Sequence, residues 1–263
     1  MNTASLTAII VIFVTIVGYL ASFLAPIPAS WSDSLLSFHT VLANSVLYTL
    51  LHVGAGILFI SGISAYKAAL RSAYIKIAIG IALVGGGLAQ VVLLNIFGLI
   101  QTPWVQYGGV MLPFIVAGLA IYFGVRSMAI LVGVRSPLTS VRVVFPFVII
   151  GIAIASVLPH GASSLPEPFF DIANAISVGD VLLYTAALGL VLQIKARSGA
   201  HYVKAIRWLA VGLVGSVIIT LYVLIGTFIL GEVPADYLLD TIVIIGGLLY
   251  LKAGYSFART KEL

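Results

Sequence analysis

The chain has 263 residues, of which 62% are hydrophobic and 8% are charged, and it contains no cysteine. A soluble globular domain is about one-quarter charged, so this chain has too few charged groups to cover a water-facing surface. The lack of cysteine excludes disulfides, thiolate metal sites, iron–sulfur clusters and cysteine nucleophiles.

Eight apolar segments follow one another along the chain. About 20 apolar residues form a helix long enough to cross a hydrocarbon core of ~30 Å, and apolar backbone in that core satisfies its hydrogen bonds as helix. The first segment has no basic residue before it and is too long for the apolar region of a signal peptide, so we interpret it as a retained span. The sequence therefore predicts an all-α integral membrane protein with eight transmembrane helices. They cover residues 4–25, 41–66, 74–99, 105–125, 141–158, 172–194, 205–230 and 237–258.

The basic residues all lie on one side of this eight-span arrangement. The other side carries Asp33, Glu167, Asp171, Glu232 and Asp236 and no lysine or arginine. Basic connectors are enriched on the cytoplasmic side, so we predict a multi-pass protein of the cell membrane with both termini in the cytoplasm. The surplus of cations suits anionic lipid headgroups, and we predict no binding to nucleic acid. The basic residues are Lys67, Arg71, Lys76, Arg126, Arg135, Arg142, Lys195, Arg197, Lys204, Arg207, Lys252, Arg259 and Lys261.

The two halves of the chain share a weak internal repeat. Two units with an even number of spans have the same orientation in the membrane, as in transporters with parallel repeats. We therefore predict two parallel four-helix units, residues 1–132 and 133–263, within a single membrane domain. A shift of 128 residues aligns Tyr74 with Tyr202, Lys76 with Lys204 and Gly87 with Gly215, and a shift of 136 aligns Leu47–Tyr48–Thr49 with Leu183–Tyr184–Thr185.

Asp180 is the most unusual residue of the predicted spans, in the stretch "FDIANAISVGDVLLYT". It lies about 12 Å inside the sixth span, where Ser177 and Tyr184 share its helix face. Ionisable groups at such depth are costly and face the bundle interior or a water-filled cavity. One hypothesis is that Asp180, with Asp240 and Gln90, binds a proton or a cation. The alternative is a structural acid that joins helices through Ser177, Tyr184 or the backbone.

His52 lies near the middle of the second predicted span, with Tyr48 one turn earlier. A bis-histidine haem needs a second imidazole at similar depth, and the other histidines fall in connectors. We therefore interpret His52 as a core histidine that bonds across helices. No bound cofactor or metal is predicted, and a quinone or haem beside His52 and Tyr48 is the alternative.

Three functions are compatible with these features. No catalytic constellation is found, so an enzyme is not predicted. The first hypothesis is an accessory or anchoring subunit of a larger membrane assembly, or a sensor-like module, in contact with lipid and with other membrane subunits or a second copy. It predicts a close-packed bundle. The second is a proton- or cation-coupled secondary transporter that uses Asp180, which predicts a polar cavity between the two units.

The third hypothesis is a quinone- or haem-handling membrane subunit of a respiratory complex. Eight spans in two four-helix units are broadly similar to the quinone-handling anchors of respiratory reductases, although no specific motif links the chain to them. This hypothesis predicts a lateral groove beside His52 and Tyr48.

Single cysteines test the predicted sidedness without background, because the chain has none of its own. We expect Lys67→Cys and Arg135→Cys to resist a membrane-impermeant maleimide in intact cells and to react after permeabilisation. Asp33→Cys, on the predicted outer side, is the control and should react in both conditions. Reaction of Lys67→Cys and Arg135→Cys from opposite sides would contradict the count of eight spans.

Overall fold

The computed structural model describes residues 3–27, 35–63, 66, 68–96, 112–155, 167–226 and 237–259. Within these ranges the chain forms eight α-helices, one short 3₁₀ turn and no strand. Seven of the helices are long and apolar enough to cross a membrane, and α5, with 15 residues, is shorter. The predicted all-helical, membrane-type architecture is confirmed. The helices are α1 (Thr3–Ser22), α2 (Leu35–Ser61), α3 (Ala68–Ile96), α4 (Leu112–Leu131), α5 (Val141–Ala155), α6 (Glu167–Arg197), α7 (Ala200–Ile225) and α8 (Tyr237–Arg259).

The fourth helix extends beyond its predicted end. It continues to Leu131, whereas the predicted span ended at residue 125, before Arg126. The charge of Arg126 does not end the helix, because its Nε donates a hydrogen bond to the Thr139 carbonyl oxygen at 2.6 Å. A single arginine with such an acceptor is tolerated inside an apolar helix.

Six helices form a closed ring, in the order α2, α3, α4, α6, α7 and α8, with α8 returning to α2. Outside the ring, α1 packs against α2 and α5 packs against α6. Ring neighbours run antiparallel except in two places. We call the interface between two such helices a seam. In the α2/α8 seam Asn44 is hydrogen-bonded to Asp240 and Gly62 lies against Ala258, so these helices run parallel. In the α4/α6 seam Gly118 lies against Asp180 and the C-terminal ends of both helices line the same cavity, so these helices are also parallel.

Glycines bring helix backbones close together in the ring. A methyl group at Gly80 of α3 would lie 2.8 Å from the Ala117 carbonyl oxygen of α4. On the same interface, a methyl group at Gly124 would lie 2.8 Å from the Ala73 carbonyl oxygen. Helices in lipid gain no hydrophobic attraction from one another, so close backbone approach supplies much of their packing energy.

Aromatic side chains fill the ring near one of its ends. Tyr74 is fully buried, and its ring lies 4.6 Å from that of Tyr66 and 5.0 Å from that of Phe257, between centroids. The Tyr66 hydroxyl donates to the Phe257 carbonyl oxygen at 2.6 Å. We call this end the basic end, because the basic residues of the described part lie toward it. They are Arg71, Lys76, Arg126, Arg135, Arg142, Lys195, Arg197, Lys204, Arg207, Lys252 and Arg259.

The linker between α4 and α5 is held at the basic end by side chains from both seam helices. From α4, Arg126 bonds to the Thr139 carbonyl oxygen, as described above. From α6, Gln193 Nε2 donates to Ser136 Oγ at 3.2 Å, and Arg197 donates to the Gly133 carbonyl oxygen. Gly133 has a φ of 73°, a conformation that a glycine adopts without steric cost.

Two glycines of α3 provide a matched test of the packing. Gly80→Ala should lower the free energy of unfolding by about 1–3 kcal/mol, because the new methyl group forces α3 and α4 apart. Gly86→Ala is the control, since a methyl group there meets nothing within 4 Å. Unfolding in detergent, followed by circular dichroism, measures both variants. Equal stabilities would show that α3 and α4 are not in close contact at Gly80.

Candidate functional site

Asp180 lies in the α4/α6 seam, and 5% of its surface is exposed. Gly118 of α4 faces it so closely that a methyl group at Gly118 would be 2.5 Å from Asp180 Oδ1. The absence of a side chain at Gly118 therefore makes the space that the carboxyl occupies. The seam positions an ionisable group directly against the backbone of a neighbouring helix.

The carboxyl of Asp180 makes no hydrogen bond in the part of the chain that the structure describes. Ser177 and Tyr184 share its helix face and are buried, but neither donates a hydrogen bond to it. Buried polar groups without a partner are uncommon in proteins and call for an explanation. Among the predicted site residues, Asp180 is therefore the one whose burial costs free energy that no described contact offsets.

Asp240 lies in the other seam and has a different environment. Asn44 Nδ2 of α2 donates to Asp240 Oδ2 of α8 at 2.9 Å. Asp240 is also in the first turn of α8, where the helix dipole stabilises a negative charge. Both features stabilise a half-buried carboxylate, and they distinguish the environment of Asp240 from that of Asp180.

His52 and Tyr48 are placed together on α2, next to Asn44. His52 is 1% exposed, and its Nδ1 donates to the Tyr48 carbonyl oxygen at 2.7 Å. The Tyr48 hydroxyl donates to Ser45 Oγ at 2.9 Å. These are local hydrogen bonds of one helix turn, and they hold both side chains within the α2/α8 seam.

Glycines on two other helices enclose the imidazole of His52. A methyl group at Gly85 of α3 would lie 2.8 Å from His52 Cβ. A methyl group at Gly247 of α8 would lie 3.1 Å from Nδ1 and Cε1. The ring of Tyr250 is 6.1 Å away between centroids. His52 is thus closely packed by α2, α3 and α8.

Tyr250 and Ser216 form a polar contact between α7 and α8 that the sequence did not reveal. Their hydroxyls are 2.6 Å apart and both side chains are buried. Gly212, one turn before Ser216, makes room for the Tyr250 ring. A methyl group at Gly212 would lie 2.8 Å from an atom of that ring. In the sequence, the spacing of Gly212 and Ser216 is the feature that could have predicted this contact. Small residues one turn apart mark a face of α7 that can accept a large side chain.

Gln90 is not brought to Asp180. It lies half-buried on α3, and no hydrogen bond connects it to Asp180 within the described ranges. Two cavities are found in the described part of the bundle. One is at the basic end between α3, α4, α6 and α7, and the other is lateral, between α1 and α8. Neither is lined by Asp180, Gln90, Tyr48 or His52.

The chemistry available in the seams is that of protonation and hydrogen bonding. Among the described residues, no group of three or more histidine, aspartate or glutamate side chains is arranged to hold a metal ion. A lone carboxyl of this kind binds or releases a proton, or contacts a small cation.

Comparisons of the chain with protein-family models, with curated proteins and with solved structures found no match. The arrangement of the side chains is therefore the basis for any functional proposal.

The pairing of Asn44 with Asp240 predicts a measurable coupling across the α2/α8 seam. In a double-mutant cycle of Asn44→Ala and Asp240→Ala, we expect a coupling of about 0.5–2 kcal/mol in the free energy of unfolding, the range for hydrogen bonds between membrane helices. A second cycle of Asn44→Ala with Asp180→Ala, in the other seam, is the control and should be additive within about 0.5 kcal/mol. Additivity in the first cycle would contradict the pairing.

Proposed function

We propose that this chain is a non-catalytic, sensor-like membrane module in which protonation of Asp180 controls how tightly α4 and α6 pack. The observation that carries the proposal is the carboxyl of Asp180, buried in the α4/α6 seam with no hydrogen-bond partner among the described residues. A bare carboxylate is costly in such a place, whereas the neutral acid is tolerated. Gain or loss of one proton therefore changes the energy of the seam.

The close contact of Asp180 with Gly118 favours a switch in helix packing over passage of a substrate. Oδ1 fills the space that a side chain of α4 would take. An ionised carboxylate attracts water, and separation of the two helices gives more water access to it. Proton release is then coupled to a separation of α4 and α6, which is the kind of two-state element that a pH-responsive module needs.

The pairing of helices supports two equivalent units. α2 packs on α8 as α6 packs on α4, and α1 lies on α2 as α5 lies on α6. The shift of 128 residues from the sequence also relates His52 to Asp180. Each of these residues lies in a parallel seam against a glycine of the other unit: Gly247 for His52 and Gly118 for Asp180. The same shift places Gly118 on Gly246, one residue from Gly247.

We extend the proposal to topology and surroundings on the same basis. Two parallel units give eight spans, with α5 as the short fifth span, and the gathering of basic residues at one end supports cytoplasmic termini in the cell membrane. The peripheral α1 exposes an apolar face suited to lipid or to helices of another subunit. This face carries Ile9, Ile12, Phe13, Ile16 and Leu20.

The decisive variant is Asp180→Asn, which keeps the shape of the side chain and cannot ionise. Spin labels on cysteines at Val116 of α4 and Thr185 of α6, both exposed, report the width of the seam by pulsed electron resonance. In the parent protein we expect the distance to increase as the pH rises over roughly pH 4 to pH 9, the range that covers ordinary and strongly perturbed carboxyls. In Asp180→Asn the distance should stay at its low-pH value.

Asp240→Asn is the matched control, because it removes a carboxyl from the other seam and should keep the pH response of α4 and α6. A response that survives in Asp180→Asn, or a distance that never changes with pH in the parent protein, would rule the proposal out.

A proton-coupled transporter is the second candidate, favoured by the parallel arrangement of the two units, which several transporters share. The same proteins distinguish the two functions after reconstitution in vesicles. A transporter moves protons with its substrate and loses this in Asp180→Asn, whereas a sensor-like module changes seam width and moves none.

A further inference from the structure

A cavity of about 430 Å³ opens at the basic end of the ring. Its size is within the range of about 300–1,000 Å³ that is usual for sites of small molecules. Four ring helices contribute to it: α3, α4, α6 and α7. The apolar part of its wall includes Leu70, Met128, Leu131, Val132, Ile194 and Ile206.

One tyrosine of the wall has a buried hydroxyl without a hydrogen-bond partner in the described part of the chain. Tyr74 lines the cavity and is fully buried, and its hydroxyl makes no hydrogen bond within the described ranges. A phenol both donates and accepts, so an unpaired one represents an unused binding group. Buried polar groups of this kind are usually satisfied by a ligand or by water.

Positive charge is concentrated where the cavity meets the end of the bundle. Gly199 lines the cavity and caps the N-terminus of α7 without a side-chain hydrogen bond. The first N–H groups of a helix attract an anion when no side chain caps them. Arg197 also lines the cavity, and its bond to the Gly133 carbonyl oxygen holds the guanidinium in place while leaving other donors available.

We propose that this cavity binds an acidic amphiphile, with one acyl chain along the apolar wall and the acidic group between Arg197 and the N-terminus of α7. The Tyr74 hydroxyl donates to a second oxygen of the ligand, from the acid itself or from an adjacent ester. The acid is carried either by a free fatty acid or by an anionic phospholipid. The site is separate from Asp180 and does not depend on the proposed function.

A photoactivatable palmitate analogue, incorporated into phosphatidylcholine nanodiscs that contain the full chain, tests the site directly. After illumination and digestion, we expect the label on peptides that contain the cavity-lining residues of α4, α6 or α7. Oleate should compete with the label, and oleyl alcohol, which has the same chain without the acid, should compete much less. Replacing part of the phosphatidylcholine by dioleoylphosphatidylglycerol shows whether a phospholipid headgroup also occupies the site.

Three variants connect the labelling to named groups. Arg197→Gln should reduce labelling roughly tenfold, the usual effect of losing a hydrogen bond to a charged group. Tyr74→Phe, which leaves the packing unchanged, should reduce it about threefold to tenfold. Leu131→Trp, which enlarges a side chain of the cavity wall, should abolish it. Lys195→Gln is the matched control, because it removes the same charge from the same helix without lining the cavity.

Unfolding curves like that of the parent protein confirm that each variant is folded before labelling is compared. The proposal is overturned if the label is found only outside the cavity, or if oleyl alcohol competes as well as oleate. It is also overturned if Arg197→Gln and Tyr74→Phe both label as strongly as Lys195→Gln.

Discussion

Close approach of helix backbones at glycines is the interaction on which the rest of this structure depends. Hydrocarbon offers no hydrophobic attraction between spans, so helices associate where small residues allow close contact. The same glycines determine where polar groups are accommodated. Asp180 occupies the space left by Gly118, and His52 lies between Gly85 and Gly247. Polar side chains are thus placed in the bundle as a consequence of how its helices touch.

The two carboxyls in the seams have different environments. Asp240 has an amide donor from the neighbouring helix and a helix N-terminus beneath it. Asp180 is in the middle of a helix, and within the described ranges it has no such donor. A charge on Asp240 is compensated in the folded state, whereas a charge on Asp180 is not. An uncompensated charge on Asp180 favours either protonation of the carboxyl or a change in helix packing. For this reason Asp180 is the centre of the proposed function.

The sequence predicted the helices well because apolar length and the distribution of charge are local properties that a membrane constrains strongly. It was less accurate where a charged residue has a specific acceptor, as with Arg126 and the linker after α4. It also identified Asp180, Asp240, His52 and Tyr48 as unusual. It did not pair Asn44 with Asp240, because parallel contact between α2 and α8 joins residues that no periodicity relates. The orientation of the termini and the two-unit repeat stay predictions.

The linker between α4 and α5 has a mechanical consequence for the α4/α6 seam. Side chains from both helices, Arg126 on one and Gln193 and Arg197 on the other, are bonded to this short segment at the basic end. α4 and α6 are therefore connected at the basic end through this linker. A movement that separates the two helices is then a rotation about this connection. The distance between the helices changes little at the basic end and more with distance along the bundle. Under the proposed function, a change in the protonation of Asp180 therefore alters the separation of α4 and α6 least at the basic end and most at the opposite end of the bundle.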